Sequence, residues 1–151
     1  MSTFVLVLHA AAVFASQPAY LQNLFPAEQA TQVIRIAQQN FWGKAALPDG
    51  TFVRPGDDRE REALPIPRNE AMRIVQSSAA AGLGDWCGVE WQPYYLAFMS
   101  AERTKPWTEK QLAFIDTLFG VAQGSMHRAM SRVACAASDR DRVARMLKNA
   151  T

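Results

Sequence analysis

The chain has 151 residues, of which 49% are hydrophobic and 20% charged, a composition typical of one globular domain in water. This length can bury a core without metal ions, and a net charge of +2 is too small to indicate nucleic acid as a partner. The charge is uneven, because six cations and two aspartates give the segment from Arg128 onward a charge of +4. That segment suits an acidic partner, although cations near helix C-termini are also favoured by the helix dipole.

The amino terminus raises the question of export. Residues 4–14 form an apolar run, and the residues that follow suit cleavage by signal peptidase after Ala15. We therefore predict a signal peptide over residues 1–15, a single helical domain over 16–151, and a periplasmic or secreted protein. The alternative is a native first element of a cytoplasmic protein, because no Lys or Arg precedes the run and His9 interrupts it. The run is too short to span a membrane.

The first predicted helix begins at Pro26 and ends near Trp42, where Gly43 supplies a stop signal. Its apolar residues recur at helical spacing: Ala30, Val33, Ile34, Ala37 and Phe41. The stretch that follows contains two turn signals rich in proline and glycine. We expect at most one small β-hairpin there, near residues 45–55.

Glycines and prolines delimit the next two predicted helices. One helix is expected over about residues 69–81, and Gly82 and Gly84 are expected to break it. The other begins at Pro93 and continues through about residue 103. Its residues are apolar almost all round, which indicates a helix buried between neighbours.

The longest predicted helix covers residues 108–136 and begins with a capping box formed by Thr108 and Gln111. An apolar seam repeats along it: Leu112, Ile115, Phe119, Ala122, Met126, Ala129 and Val133. A second stripe consists mostly of small residues: Ala113, Thr117, Gly120, Gly124, His127 or Arg128, Ser131 and Cys135. Glycine inside a helix costs about 1 kcal/mol relative to alanine. We therefore expect another backbone to approach this stripe closely.

These elements predict an all-α domain, or a mostly α domain with one small β-hairpin near residues 45–55. A last helix is expected after Ser138, with one apolar face: Val143, Met146, Leu147 and Ala150. The predicted architecture is a single-domain bundle of about five helices around the central helix at 108–136.

The two cysteines, Cys87 and Cys135, are the minimum for one disulfide. Cys87 belongs to a glycine-rich stretch thin enough to dock on the small stripe that ends at Cys135. We predict that residues 82–88 dock there and that the two cysteines are bonded. An exported protein permits this bond, whereas the cytosol usually keeps both thiols reduced.

A thiol enzyme is the alternative use of Cys87. In this hypothesis His127 activates the sulfur, and a carboxylate, Asp85 or Asp116, orients the imidazole ring. The predicted position of His127 deep in a helix, with no sheet nearby, is unlike that of the familiar cysteine hydrolases.

Aromatic residues cluster around the same stretch of sequence. Trp86, Trp91, Trp107 and Tyr94, with Arg103, are candidate residues for binding a ligand or a partner's side chain. The alternative interpretation is that they belong to the core. The spacing of cysteine and histidine fits no zinc site, and no phosphate-binding loop is present.

The function that we predict is a non-catalytic, exported helical binding protein of the periplasmic inhibitor, immunity or accessory type. Its expected partner is another protein or a small ligand, with no cofactor and no metal. The first alternative is a small thiol-dependent hydrolase that uses Cys87 and His127. The second is a cytosolic helical adaptor whose basic C-terminal helix meets an acidic surface.

Overall fold

The computed structural model describes residues 24–150, so the predicted signal peptide lies outside the described residues. Within residues 24–150 the chain is helical, with one isolated antiparallel β-bridge between Ala46 and Phe52. The six helices are α1 (Ala27–Gln39), α2 (Asp58–Glu62), α3 (Arg68–Cys87), α4 (Gln92–Arg103), α5 (Glu109–Met130) and α6 (Ala137–Asn149). The predicted all-α class is confirmed. None of these helices is long and apolar enough to cross a membrane.

Helices α3 and α5 lie side by side and run in the same direction. Near their first turns, Gln111 Nε2 donates to the carbonyl of Pro65 at 3.1 Å. Near their ends, Gln123 Nε2 donates to Asp85 Oδ2 at 2.9 Å. The chain segment between them, which includes α4, leads from the C-terminal end of α3 back to its N-terminal end. Helix α5 therefore runs parallel to α3.

The other long helices run antiparallel to α3. At one end of α4, Tyr94 Oη donates to the carbonyl of Ser77 at 2.8 Å, and at the other end Glu102 meets Arg73. Helix α6 runs back along the C-terminal half of α3, and Leu147 Cδ1 packs against the backbone of Gly84. Helix α1 lies on the N-terminal half.

Helix α3 contacts α1, α4, α5 and α6, and α5, the predicted central helix, contacts α1, α3 and α4, so the α3–α5 pair forms the centre of the bundle. The residues of α3 are buried continuously from Ile74 to Gly82. Small side chains make this possible, because alanine, serine and glycine let neighbouring helices approach from every side.

The prediction that Gly82 and Gly84 break a helix is wrong. Helix α3 continues to Cys87 and ends at Gly88, which has a φ of 64°. The backbone N–H of Val89 donates to the carbonyl of Gly84 at 2.8 Å, as in a left-handed helix C-cap. Both glycines stay helical because α5 and α6 pack against their bare backbone.

Helix α5 begins at the predicted capping box, in which Thr108 and Gln111 bond reciprocally. It ends at Met130 instead of residue 136, and beyond that end the carbonyl of Val133 accepts the Trp86 indole N–H at 2.7 Å. The middle of the predicted apolar seam is buried: Ile115, Phe119, Ala122 and Met126.

The predicted close approach to the small stripe of α5 is wrong. A Cβ placed on Gly120 would meet no atom within 4 Å, and one on Gly124 would meet only the flexible side chain of Arg128. The close approach occurs on α3 instead, where the backbone of α5 lies against Gly82. The helical pattern of the sequence places glycines on both α3 and α5. It does not show at which of these glycines a neighbouring backbone packs closely.

Candidate functional site

Cys87 and Cys135 form a disulfide pair, with their Cα atoms 5.3 Å apart, as the sequence predicts. Cys87 is the buried last residue of α3, and Cys135 lies in the segment between α5 and α6. Two hydrogen bonds support the bridge. Trp86 Nε1 donates to the carbonyl of Val133 at 2.7 Å, and Arg140 Nε donates to that of Cys87 at 3.1 Å. Together they hold the start of α6 beside the end of α3.

Two of the residues proposed for thiol chemistry come together. Nδ1 of His127 lies 2.8 Å from Oδ2 of Asp85, although the direction of its N–H falls outside hydrogen-bond geometry. The same carboxylate accepts the Gln123 amide. Because the sulfur of Cys87 is bonded to Cys135, no thiolate is available to this pair while the disulfide is intact.

Asp116, the other carboxylate of that hypothesis, lies against α4 instead. Its Oδ1 accepts the hydroxyl of Tyr95 at 2.6 Å. Burial, and then this hydrogen bond, raise the pKa of Tyr95 to about 12. The pair therefore joins α4 to α5 through a phenol that stays protonated.

The structure does not bring the predicted aromatic set into one pocket. Tyr94 is buried in the core, and Trp91 packs over Gly84 at the start of α4. Trp107 and Arg103 lie at the other end of that helix, whose 12 residues span about 18 Å. Only Trp86 lies on the principal groove of the described residues.

This groove lies between α6 and the C-terminal ends of α3 and α5, and we call it the α6 groove. It encloses about 620 Å³. Its apolar wall consists of Leu24, Leu83, Trp86, Met130, Val133, Val143 and Met146. The polar residues that line it, Asp139, Arg142, Arg145 and Asn149, all come from α6. The volume is within the usual range for small-molecule sites, about 300–1,000 Å³.

The apolar wall is open to solvent mainly at Val133, whereas Val143 and Met146 are buried. Val133 is 53% exposed, and it follows the end of α5, where the sequence predicts a helical seam position. No sequence pattern predicts this groove. The one signal for it is the apolar face of the last helix, because Val143 and Met146 of that face also line the groove.

Two arginines give the groove a cationic side. Arg142 is largely exposed, and its Nη1 lies 3.9 Å from Oδ1 of Asp139. Arg145 forms no ion pair with any residue of the described part of the chain. The formal charge contributed by these three side chains is therefore +1.

Comparison with protein-family models, curated proteins and solved structures finds no match to this chain, so its functional interpretation depends on the geometry of its own residues.

Proposed function

We propose that this chain is a non-catalytic, exported binding protein and that the α6 groove is its binding site. The observation that carries the proposal is an open groove with an apolar wall, fixed at one end by the disulfide. Exposing apolar surface to water is unfavourable, and a concave surface lined mostly by apolar side chains with a few charged groups at one side is typical of a ligand-binding site.

Export is supported by the cysteine pair together with the sequence of residues 1–15. Disulfides persist mainly in oxidising compartments, which include the bacterial periplasm and the extracellular space. A small periplasmic inhibitor, immunity or accessory protein combines a disulfide with binding but requires no catalytic group. This is the class of protein that we propose.

Intact mass spectrometry of the protein from its native host tests export and the disulfide together. We expect a chain that begins at Ser16 and takes up no iodoacetamide without reductant, because both sulfurs are bonded. After reduction in denaturant, two alkyl groups are expected. An intact amino terminus would favour the cytosolic adaptor, and alkylation of Cys87 without reductant would favour the thiol hydrolase.

Binding at the groove is tested with N-phenyl-1-naphthylamine, an uncharged apolar fluorophore. We expect saturable binding to the native chain and about tenfold weaker binding to Val133→Glu. The substitution places a carboxylate on the apolar wall, and the ligand would have to displace its water. A tenfold change corresponds to about 1.4 kcal/mol. Fluorescence titration measures the affinity, and circular dichroism verifies the fold.

Leu96→Glu is the matched control. Leu96 is 62% exposed on α4 and does not line the groove. Leu96→Glu therefore replaces an exposed apolar side chain by a carboxylate, as Val133→Glu does, but away from the groove. We expect its affinity for the probe to equal that of the unmodified chain. Equal losses in the two variants, or binding that does not saturate, would refute the α6 groove as the site.

A further inference from the structure

We infer that the α6 groove selects an anionic amphiphile, a single hydrocarbon chain that ends in a carboxylate. This inference rests on the proposed function and specifies its ligand as a small molecule, which fits an accessory protein rather than an inhibitor or immunity protein that binds another protein. Three features of the groove support it: the shape and composition of its wall, the placement of its charges, and the charge of the surrounding segment.

The wall suits a flexible hydrocarbon chain. Met130 and Met146 line it, and their unbranched thioether side chains adapt to ligands of irregular shape. Trp86 presents its ring, while its indole N–H is already bonded to the carbonyl of Val133. The wall therefore leaves no unsatisfied indole donor that would require a polar group in the middle of the ligand.

All the charged groups of the groove lie on α6, which also contributes Val143 and Met146 to the apolar wall. Arg142 and Arg145 both come from α6, whereas α3 and α5 contribute only apolar side chains to the lining. Arg145 has no carboxylate partner among the described residues, and a guanidinium binds a carboxylate through two parallel hydrogen bonds. A ligand whose hydrocarbon chain covers the apolar wall can place its head group at Arg145. Asp139 offsets one of the two positive charges and disfavours a head group close to Arg142.

The wider charge distribution has the same sign. The segment from Arg128 onward carries +4, and it supplies the last turn of α5, the loop that follows and α6. A local positive field raises the concentration of anions near the groove and repels cations. The groove is a hollow of about 620 Å³, a size typical of small-molecule sites, which favours a small amphiphile over a protein partner.

The test compares three ligands whose straight chains each contain ten carbons, the carboxyl carbon of decanoate included. The full oxidised chain is titrated by calorimetry with decanoate and decyltrimethylammonium below their micelle concentrations, and with decanol below its solubility limit. We expect decanoate to bind about fivefold more tightly than decanol, the factor that an exposed ion pair of about 1 kcal/mol supplies. Decyltrimethylammonium should bind more weakly than decanol, and added salt should reduce the preference for decanoate.

Arg145→Gln separates the charge from the apolar contacts. We expect it to remove the preference of decanoate over decanol while it leaves the affinity for decanol unchanged. Arg59→Gln is the control, since it removes the same charge from α2, whereas the groove lies at the far end of α3, about 30 Å along that helix. Its ligand preferences should equal those of the unmodified chain.

Failure of the inference and failure of the proposed function give different results. If the three amphiphiles bind with equal affinity, the selection of an anion is refuted, but binding at an apolar groove stands. If a second copy of the chain occupies the groove, a dimer that Val133→Glu dissociates will exclude all three ligands, which also refutes the inference. If neither the neutral fluorophore nor decanol binds, both proposals are wrong.

Discussion

Replacing Glu102 with alanine is expected to lower the free energy of unfolding by about 3 kcal/mol. The side chain of Glu102 is only 3% exposed. One carboxylate oxygen accepts from Arg73 at 2.7 Å and from Lys105 at 3.0 Å, and the other accepts the indole N–H of Trp107 at 3.0 Å. Removal of a buried charge partner typically costs about 3–5 kcal/mol. We expect the lower end, because Arg73 and Lys105 keep some contact with water.

Glu70→Ala is the matched control for this cluster. Glu70 contacts the same two cations, with an oxygen 2.9 Å from Arg73 and 3.9 Å from Lys105, but its side chain is 28% exposed. Its loss should therefore cost at most about 1 kcal/mol, as at exposed ion pairs. Urea denaturation measures both values. Equal losses would show that burial does not determine the contribution of Glu102.

The stability that Glu102 supplies should depend on pH. Burial acts to raise the pKa of this carboxyl, but the Trp107 hydrogen bond, the Arg73 charge and the Lys105 hydrogen bond outweigh burial, so the pKa lies below its ordinary value of 4.5. A carboxyl with a lowered pKa in the folded state stabilises that state above its unfolded pKa. The contribution falls as the pH drops below about 4.5 and through the folded pKa. The difference in stability between the native chain and Glu102→Ala should therefore narrow as the pH is lowered below about 4.5.

Local signals in the sequence predicted most of the helix starts. Pro26 precedes α1, Pro93 lies in the first turn of α4, and the capping box of Thr108 and Gln111 begins α5. Each signal acts within one turn of its helix, because it satisfies or removes backbone donors that have no helical partner. Such signals do not depend on the rest of the fold and can be recognised without it.

The groove could not be predicted in the same way. Its shape depends on where α6 lies, and this is determined by contacts between residues distant in sequence, such as Arg140 with Cys87 and Leu147 with Gly84. The disulfide pairing was predictable because two cysteines allow only one intramolecular bond. The position of Trp86 on the groove was not predictable. Its ring lines the groove while its indole N–H bonds to the carbonyl of Val133, which lies beyond the end of α5.

The sequence pattern does not distinguish the roles of Gly82 and Gly120. Substitution of each by alanine tests these roles. Gly82→Ala is expected to destabilise the protein by about 1–3 kcal/mol, even though alanine is the better helix former by about 1 kcal/mol. The new Cβ would lie 2.5 Å from the carbonyl oxygen of Gln123 and 2.6 Å from Cβ of Met126. Relief would require α3 and α5 to separate, because both of these atoms belong to or adjoin the backbone of α5.

Gly120→Ala should have the opposite sign. Gly120 is exposed in the middle of α5, and a Cβ there would meet no atom within 4 Å, so the variant gains the helix propensity of alanine, about 1 kcal/mol, without a steric cost. Thermal and urea unfolding of the two variants measure the difference. Since both substitutions make the same chemical change in the interior of a helix, propensity alone predicts the same gain in both. Stabilisation of Gly82→Ala would therefore show that α3 and α5 do not pack at Gly82 as closely as the structure places them.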